Sequence, residues 1–261
     1  MPYDVSSSFR RGAAKAPQRI REALASPAGN PWSEALVDIS DAAVLADVGD
    51  VPEDRTDYRS AIESHAARIF AAGSLPISLG GDHAVTLPLV RAVSRHYPHL
   101  SILHIDAHAD LYDAFEGDRF SHASPFARIM EEELAARLVQ VGIRTMTPHQ
   151  REQADRFHVE VIDMRAWAAG ERPHFDGDEK IYLSLDLDGL DPAFAPGVSH
   201  PEPGGLSVRD VLTLIQTIEG SFVGADIVEY NPDVDATAIT AVVAAKFVKE
   251  IAARMYQQEQ P

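Results

Sequence analysis

Acidic and imidazole side chains recur at intervals of two in two stretches of this chain, Asp106-Ala107-His108-Ala109-Asp110 and Asp186-Leu187-Asp188. On extended backbone, residues two apart project to the same side, so each stretch presents a row of potential metal ligands. Two further polar clusters, Gly80-Gly81-Asp82-His83 and Glu229-Tyr230-Asn231-Pro232, also follow apolar runs. Gathering carboxylates away from water is costly unless cations compensate them. Two divalent ions would balance four carboxylates, and two imidazoles would complete the coordination, which is the ligand chemistry of a binuclear hydrolase. Asp-X-His-X-Asp alone is a weak signal and Asp-X-Asp a weaker one. The joint occurrence of all four clusters at strand ends carries the reading.

Those clusters must be positioned by a sheet. Short apolar runs predict strands at Val44–Val48, Leu75–Leu79, Ser101–Ile105, Leu138–Gly142, Val159–Ile162, Ile181–Leu187 and Val223–Val228. Amphipathic stretches predict helices at Tyr58–Ala72, Ala84–His96, Ser124–Arg137, Ser207–Glu219 and Ala236–Met255, with Ser207 and Asp210 as a capping pair. Alternating strands and helices, with several strands apolar nearly throughout, predict an α/β fold around a mostly parallel sheet. The carboxyl ends of such strands share one edge, where ligands bind. The 261 residues fit one domain, and no linker or repeat divides them.

Composition narrows the chemistry. There is no cysteine, so disulfides, thiolate ligands and cysteine nucleophiles are excluded and harder divalent ions are favoured. The net charge of −17 disfavours nucleic acid and anionic membranes and suits a cationic substrate, although solubility alone would also explain it. No apolar run is long enough to span a bilayer, and Met1 to Arg11 lacks the apolar core of a secretory signal, so the expectation is a cytoplasmic protein. Neither a GxGxxG nor a Walker sequence is present.

The four clusters, in this order, resemble those of the ureohydrolase family, which includes arginase and agmatinase. Leu111–Gly117, Ser121–Glu131 and Phe194–His200 are similar to the plant-type, agmatinase-like arginases. The resemblance implies a three-layer α/β/α sandwich, two Mn2+ ions per subunit and a homo-oligomer, a trimer or hexamer. It places one ion on His83, Asp106, Asp110 and Asp186, and the other on Asp106, His108, Asp186 and Asp188, with Asp106 and Asp186 bridging. It gives Asp110, His122 and Glu229 catalytic roles: Asp110 orients the attacking water, Glu229 pairs with the guanidinium, and His122 protonates the leaving amine. The implied substrate is a small cationic guanidino compound, L-arginine yielding ornithine or agmatine yielding putrescine, with guanidinobutyrate or formiminoglutamate as alternatives. Asp82 is expected to hold His83, and His104 to be a satisfied core histidine.

The chain departs from the family pattern in two places. Family members carry an apolar strand ahead of the segment that here reads Pro2–Phe9, so the resemblance implies a sheet lacking its first strand and a correspondingly less stable protein. Leu111–Phe120 does not match the Asn-rich segment by which animal and bacterial arginases recognise the α-amino and α-carboxyl groups. Arg119, Arg144 and His200 are the candidates for an α-carboxylate, and L-arginine is favoured slightly over agmatine. Two readings compete: a deacetylase-like enzyme would use one zinc and lack the Asp-X-Asp pair, and a non-catalytic metal binder would have lost His122 or Glu229.

Overall fold

The computed structural model describes residues 1–52 and 57–260. Its sheet contains β1 (Ile77–Leu79), β2 (Ser101–Ile105), β3 (Arg137–Val141), β4 (Glu160–Ile162), β5 (Lys180–Asp186) and β6 (Ser221–Val228), in the spatial order β1-β6-β5-β2-β3-β4. Every neighbouring pair is parallel. Among the described residues, eight α-helices accompany it: α1 (Ala16–Leu24), α2 (Tyr58–Ala71), α3 (Thr86–Ser94), α4 (Pro125–Glu131), α5 (Pro148–Arg156), α6 (Met164–Ala168), α7 (Val208–Thr217) and α8 (Ile239–Gln258).

Side-chain alternation along the strands builds two cores. Leu103, Leu183 and Leu185 pack with Ile20 of α1, Val211 and Ile215 of α7 and Phe247 and Ile251 of α8. Their neighbours Ile102 and Tyr182 face the other way, onto Ile62 and Phe70 of α2, Val90 of α3 and Phe126 of α4. The strands are therefore covered on both faces, as their apolar runs require, and the result is the expected three-layer sandwich.

Several local expectations hold. Ser207 and Asp210 form a reciprocal capping box at the start of α7. Val243, Phe247 and Ile251 of α8 are core residues, whereas Ile239 and Val242 of the same helix remain exposed. Others need correction. Val44–Val48 is not a strand: Leu45 packs against the core, Val48 is exposed, and Arg21 ties the segment down through Asp47 and Asp50. The helix expected over Ser124–Arg137 stops at Glu131, because Glu133 turns to φ 55° and Leu134 N–H closes back onto the Ile129 carbonyl. Helices α1, α5 and α6 were not expected at all.

Candidate metal centre and active site

Each polar cluster lies at the carboxyl end of a strand. His83 follows β1, Asp106 follows β2, Asp186 ends β5 and Glu229 follows β6. These strands are adjacent, so residues far apart in sequence meet along one edge of the sheet. Gly81 allows the approach of the N-terminal segment, since a Cβ there would lie 1.6 Å from the Tyr3 carbonyl oxygen. Two residues of the cluster adopt left-handed backbone, Asp110 at φ 50° and Glu229 at φ 62°. Such strain in residues other than glycine persists only where the surroundings enforce it, and it concentrates at functional sites.

The imidazole of His83 is fully buried, and its Nδ1 stands 3.2 Å from Asp106, 3.1 Å from Asp110 and 3.1 Å from Asp186. None of the three makes a well-aligned hydrogen bond with it. Its Nε2 lies 3.0 Å from Ser184 Oγ, and that hydroxyl donates to Asp226 at 2.8 Å. Ser184 Oγ therefore accepts from the His83 Nε2–H, which leaves a lone pair on Nδ1 of the neutral ring. A buried lone pair facing three carboxylates is repulsive unless a cation sits between them. His108 Nδ1 lies 3.4 Å from the other oxygen of Asp106 and 3.2 Å from Asp188. The donor set thus divides into two groups that share Asp106, and its oxygen and imidazole ligands fit divalent first-row ions. Asp186 directs Oδ2 at His83, while its Oδ1 accepts the Asp188 N–H at 2.8 Å.

Proton affinities carry the same information. Burial raises Asp186 well above the usual carboxylate range, and Asp188 and Asp106 add to it. Burial likewise raises Asp188 to about 6 against the attraction of His108. Burial would lower His108, but Asp188 and Asp106 outweigh it and push the imidazole up to about 12. Burial also opposes charge on His83, and its three carboxylate neighbours outweigh that too, raising it well above the ordinary range. Without cations, protons must do the neutralising.

His122 and Glu229 flank this centre. His122 Nδ1 lies 3.3 Å from Glu229, whose Oε1 also accepts the His83 backbone N–H at 2.9 Å. Burial disfavours charge on His122, but Glu229 prevails and raises it to about 9. Ser8 approaches the ring's other nitrogen with its hydroxyl at 2.9 Å. These groups, with His108, Asp110, Asp186, Asp188, Tyr112, Thr145, Thr147, Gln150 and His200, line a cleft of about 160 Å³.

Beneath the centre runs a polar row that the sequence did not reveal. The register places Gln140, His104, Ser184 and Asp226 side by side across β3, β2, β5 and β6. Gln140 contacts His104 Nδ1 at 3.0 Å, and His104 Nε2 meets Asp106 at 2.8 Å. His104 is therefore satisfied, as expected, but it also orients a candidate ligand. Asp226 accepts from Thr86, Tyr182 and Ser184 at 2.9, 2.7 and 2.8 Å. Asp226→Ala would strand three buried hydroxyls, and we expect it to cost about 2–4 kcal/mol, lowering the melting temperature by roughly 5–15 °C. An unchanged melting curve would show that the row carries no stability.

Three other expectations are revised. Asp82 does not touch the His83 ring; its side chain accepts the Ala84 and Ser6 backbone N–H groups and so caps the turn that begins at His83. Arg119 is paired with Asp113 and Glu131. Arg144 spends its donors on backbone carbonyls, leaving His200 as the one of the three carboxylate candidates that lines the cleft.

Comparison with known proteins agrees with this geometry. A profile described as the arginase family matches residues 1–253. The chain belongs to the arginase family. It is 46% identical over 272 residues to arginase 1, mitochondrial, of Arabidopsis thaliana, covering 98% of this chain and 79% of that protein. It is 35% identical to the human guanidino acid hydrolase, mitochondrial, covering 96% of this chain and 75% of the relative. The solved arginase from Medicago truncatula superposes with a TM-score of 0.90 at 44% identity, covering 97% of this chain and 85% of that one. The chain is thus a ureohydrolase, a hydrolase of a small guanidino substrate from a family with a binuclear metal site.

The same comparisons correct the expected cytoplasmic location, because the plant and human relatives are named mitochondrial. The expectation rested on the lack of an apolar secretory core in the first eleven residues. Organelle-targeting segments are amphipathic and Arg-rich rather than apolar, so that criterion has no bearing on them. Among the described residues, no helix is long and apolar enough to cross a membrane.

Proposed function

We propose that the chain binds two Mn2+ ions per subunit and hydrolyses L-arginine to ornithine and urea. The observation that carries this reading is the buried His83 Nδ1 within 3.2 Å of three carboxylates and without an aligned hydrogen bond to any of them, beside a second group that shares Asp106. One ion would be held by His83, Asp106, Asp110 and Asp186, the other by Asp106, His108, Asp186 and Asp188. When bound, the two cations supply Lewis-acid activation of water at neutral pH.

The rest is done by the chain's own groups. Asp110 accepts a hydrogen bond from the attacking water and aims it at the guanidinium carbon. Glu229 pairs with the guanidinium N–H groups, a charge-assisted contact that fixes the carbon's position. The new C–O bond forms as a C–N π bond of the guanidinium opens and one water proton passes to solvent, giving a neutral tetrahedral centre. Its C–N bond to the substrate chain breaks as the amine nitrogen takes a proton, and loss of the remaining O–H proton leaves urea. His122 supplies that proton from a ring held at about 9 by Glu229. Burial of these groups keeps bulk water from competing for the contacts.

Likeness to the plant arginases favours L-arginine. Agmatine is the second reading, and a specific observation favours it: no Lys or Arg is among the described residues lining the cleft, so a carboxylate tail would rely on Thr145, Thr147, Gln150 or His200. Urea release by Mn2+-loaded protein, measured with both substrates side by side, tests the proposal. The expected result is urea from L-arginine at the higher kcat/KM. A higher value for agmatine would reverse the substrate assignment, and urea from neither would reject both. The single ureohydrolase unit is proposed to form a trimer or hexamer, supported by the exposed Ile239 and Val242 of α8, and to bind neither nucleic acid nor membrane, in keeping with its net charge of −17.

A further inference from the structure

Arg144 follows β3, and its guanidinium meets backbone carbonyls in place of acidic side chains. Nη2 donates to the carbonyls of Asp188 at 2.6 Å, Leu190 at 3.1 Å and Glu202 at 2.5 Å. Nη1 donates to Gly142 at 3.0 Å and Gly189 at 3.1 Å, and Nε to Glu202 at 2.9 Å. A rigid fork of five donors suits this curved run of acceptors, and the three donors of a lysine could not satisfy it. The main chain joins in. The N–H groups of Arg144 and Thr145 both donate to the Ala107 carbonyl, at 3.0 and 3.3 Å. The Ala107 N–H in turn donates to the Asp188 carboxylate at 3.2 Å.

These bonds close a ring. Arg144 holds the Asp188 backbone, the Asp188 side chain holds Ala107, and Ala107 holds the Arg144 backbone. The ring encloses the two segments that carry Asp106 with His108 and Asp186 with Asp188. The loop around Gly205 presses against it, since a Cβ there would lie 2.7 Å from Arg144 Nη2. The His83 half of the site has a different support, through Ser184, Asp226 and the Glu229 contact to the His83 backbone.

We propose that Arg144 is a positioning residue that sets the separation of these two ligand segments and thereby controls affinity for the ion held by His108 and Asp188. The proposal rests on the ligand set given above. Mn2+ titration of the full chain, followed by calorimetry and by the spin-coupled electron paramagnetic resonance signal of a manganese pair, tests it. Wild type is expected to bind two ions and give the coupled signal. Because Asp106 and Asp186 serve both ions, Arg144→Met is expected to weaken the His83-side ion by about 2–5-fold and the other, whose His108 and Asp188 lie wholly on the braced segments, by about 10–100-fold, so that the coupled signal gives way to that of isolated Mn2+.

Arg144→Lys, which retains the charge and part of the donor set, is expected to weaken the same ion by about 3–10-fold with KM unchanged; this variant decides the matter if the methionine variant does not fold. Equal weakening of both ions would reduce Arg144 to a general structural role and overturn the proposal, and so would wild-type affinity at both ions in the lysine variant. Fewer than two ions in wild type would instead bring down the ligand set, and the proposal with it.

Discussion

Chelation of divalent ions is expected to abolish urea release and to lower the melting temperature by an amount that grows as pH rises. Asp188 is raised to about 6 and Asp186 is raised as well, so the folded metal-free protein holds protons that the unfolded chain releases near pH 4. Stability of that form therefore falls as pH rises between about 4 and 6. His108, raised to about 12, continues the trend: its stabilising proton is fully effective below roughly 6.5 and is lost as pH climbs toward 12. Metal ions bind the deprotonated ligands, so their affinity rises as those protons leave. An ion present at about a thousandfold above its Kd adds roughly 4 kcal/mol. In a chain of this size, 1 kcal/mol moves the melting temperature by about 2–4 °C, so two ions amount to a shift on the order of 20 °C. Calorimetry with and without Mn2+ at pH 5.5 and pH 8 measures it. A gap that is equal at both pH values, or smaller at pH 8, would contradict a site built from these carboxylates and imidazoles.

The candidate metal centre was legible in the sequence because its candidate ligands repeat within single segments. The apolar run before Asp106, His108 and Asp110 places them at a strand end, but the shared face expected from extended backbone does not form: β2 stops at Ile105, Asp110 turns to φ 50° and Asp188 lies in a 3-10 turn over Leu187–Gly189, so the groups converge through these turns. The polar row beneath was not legible. Gln140, His104, Ser184 and Asp226 come from four different strands, and each looks like an isolated polar residue until the strand register aligns them. Arg144 was misjudged for a related reason. In sequence it is a cation available to a carboxylate, and only the fold brings carbonyls of residues 188–190 and 202 within reach. Helix α5 escaped notice because Pro148–Arg156 contains almost no apolar residue; its capping box at Thr147 and Gln150 was the available signal. Val44–Val48 failed in the opposite direction. Its composition suits a strand, yet side-chain packing and the Arg21 ion pairs hold it without a ladder.

Glu229→Gln is expected to lower kcat/KM by about 10²–10³-fold while leaving metal affinity intact. The side chain is 5% exposed, and its Oε1 accepts the His83 backbone N–H. Burial would push its proton affinity up, but His122 and the His83 N–H outweigh burial and hold it below the usual range, so it is anionic at neutral pH. Glutamine keeps the shape and an acceptor oxygen for that N–H. It removes the charge that would face a substrate guanidinium in a buried setting, where losing one member of an ion pair costs about 3–4 kcal/mol. The kinetic split identifies the stage at which the charge acts: a rise in KM alone marks ground-state binding, and a fall in kcat marks a contact that tightens in the transition state. The pH profile supplies an independent check. Glu229 is the foremost of the acidic groups that raise His122 to about 9, ahead of Asp110 and Asp82, so in the variant the alkaline limb of kcat should retreat from there toward the ordinary imidazole range. Activity within threefold of wild type would remove Glu229 from the guanidinium site. Loss of activity with an unmoved alkaline limb would leave Glu229 in place but separate it from the proton supplied by His122.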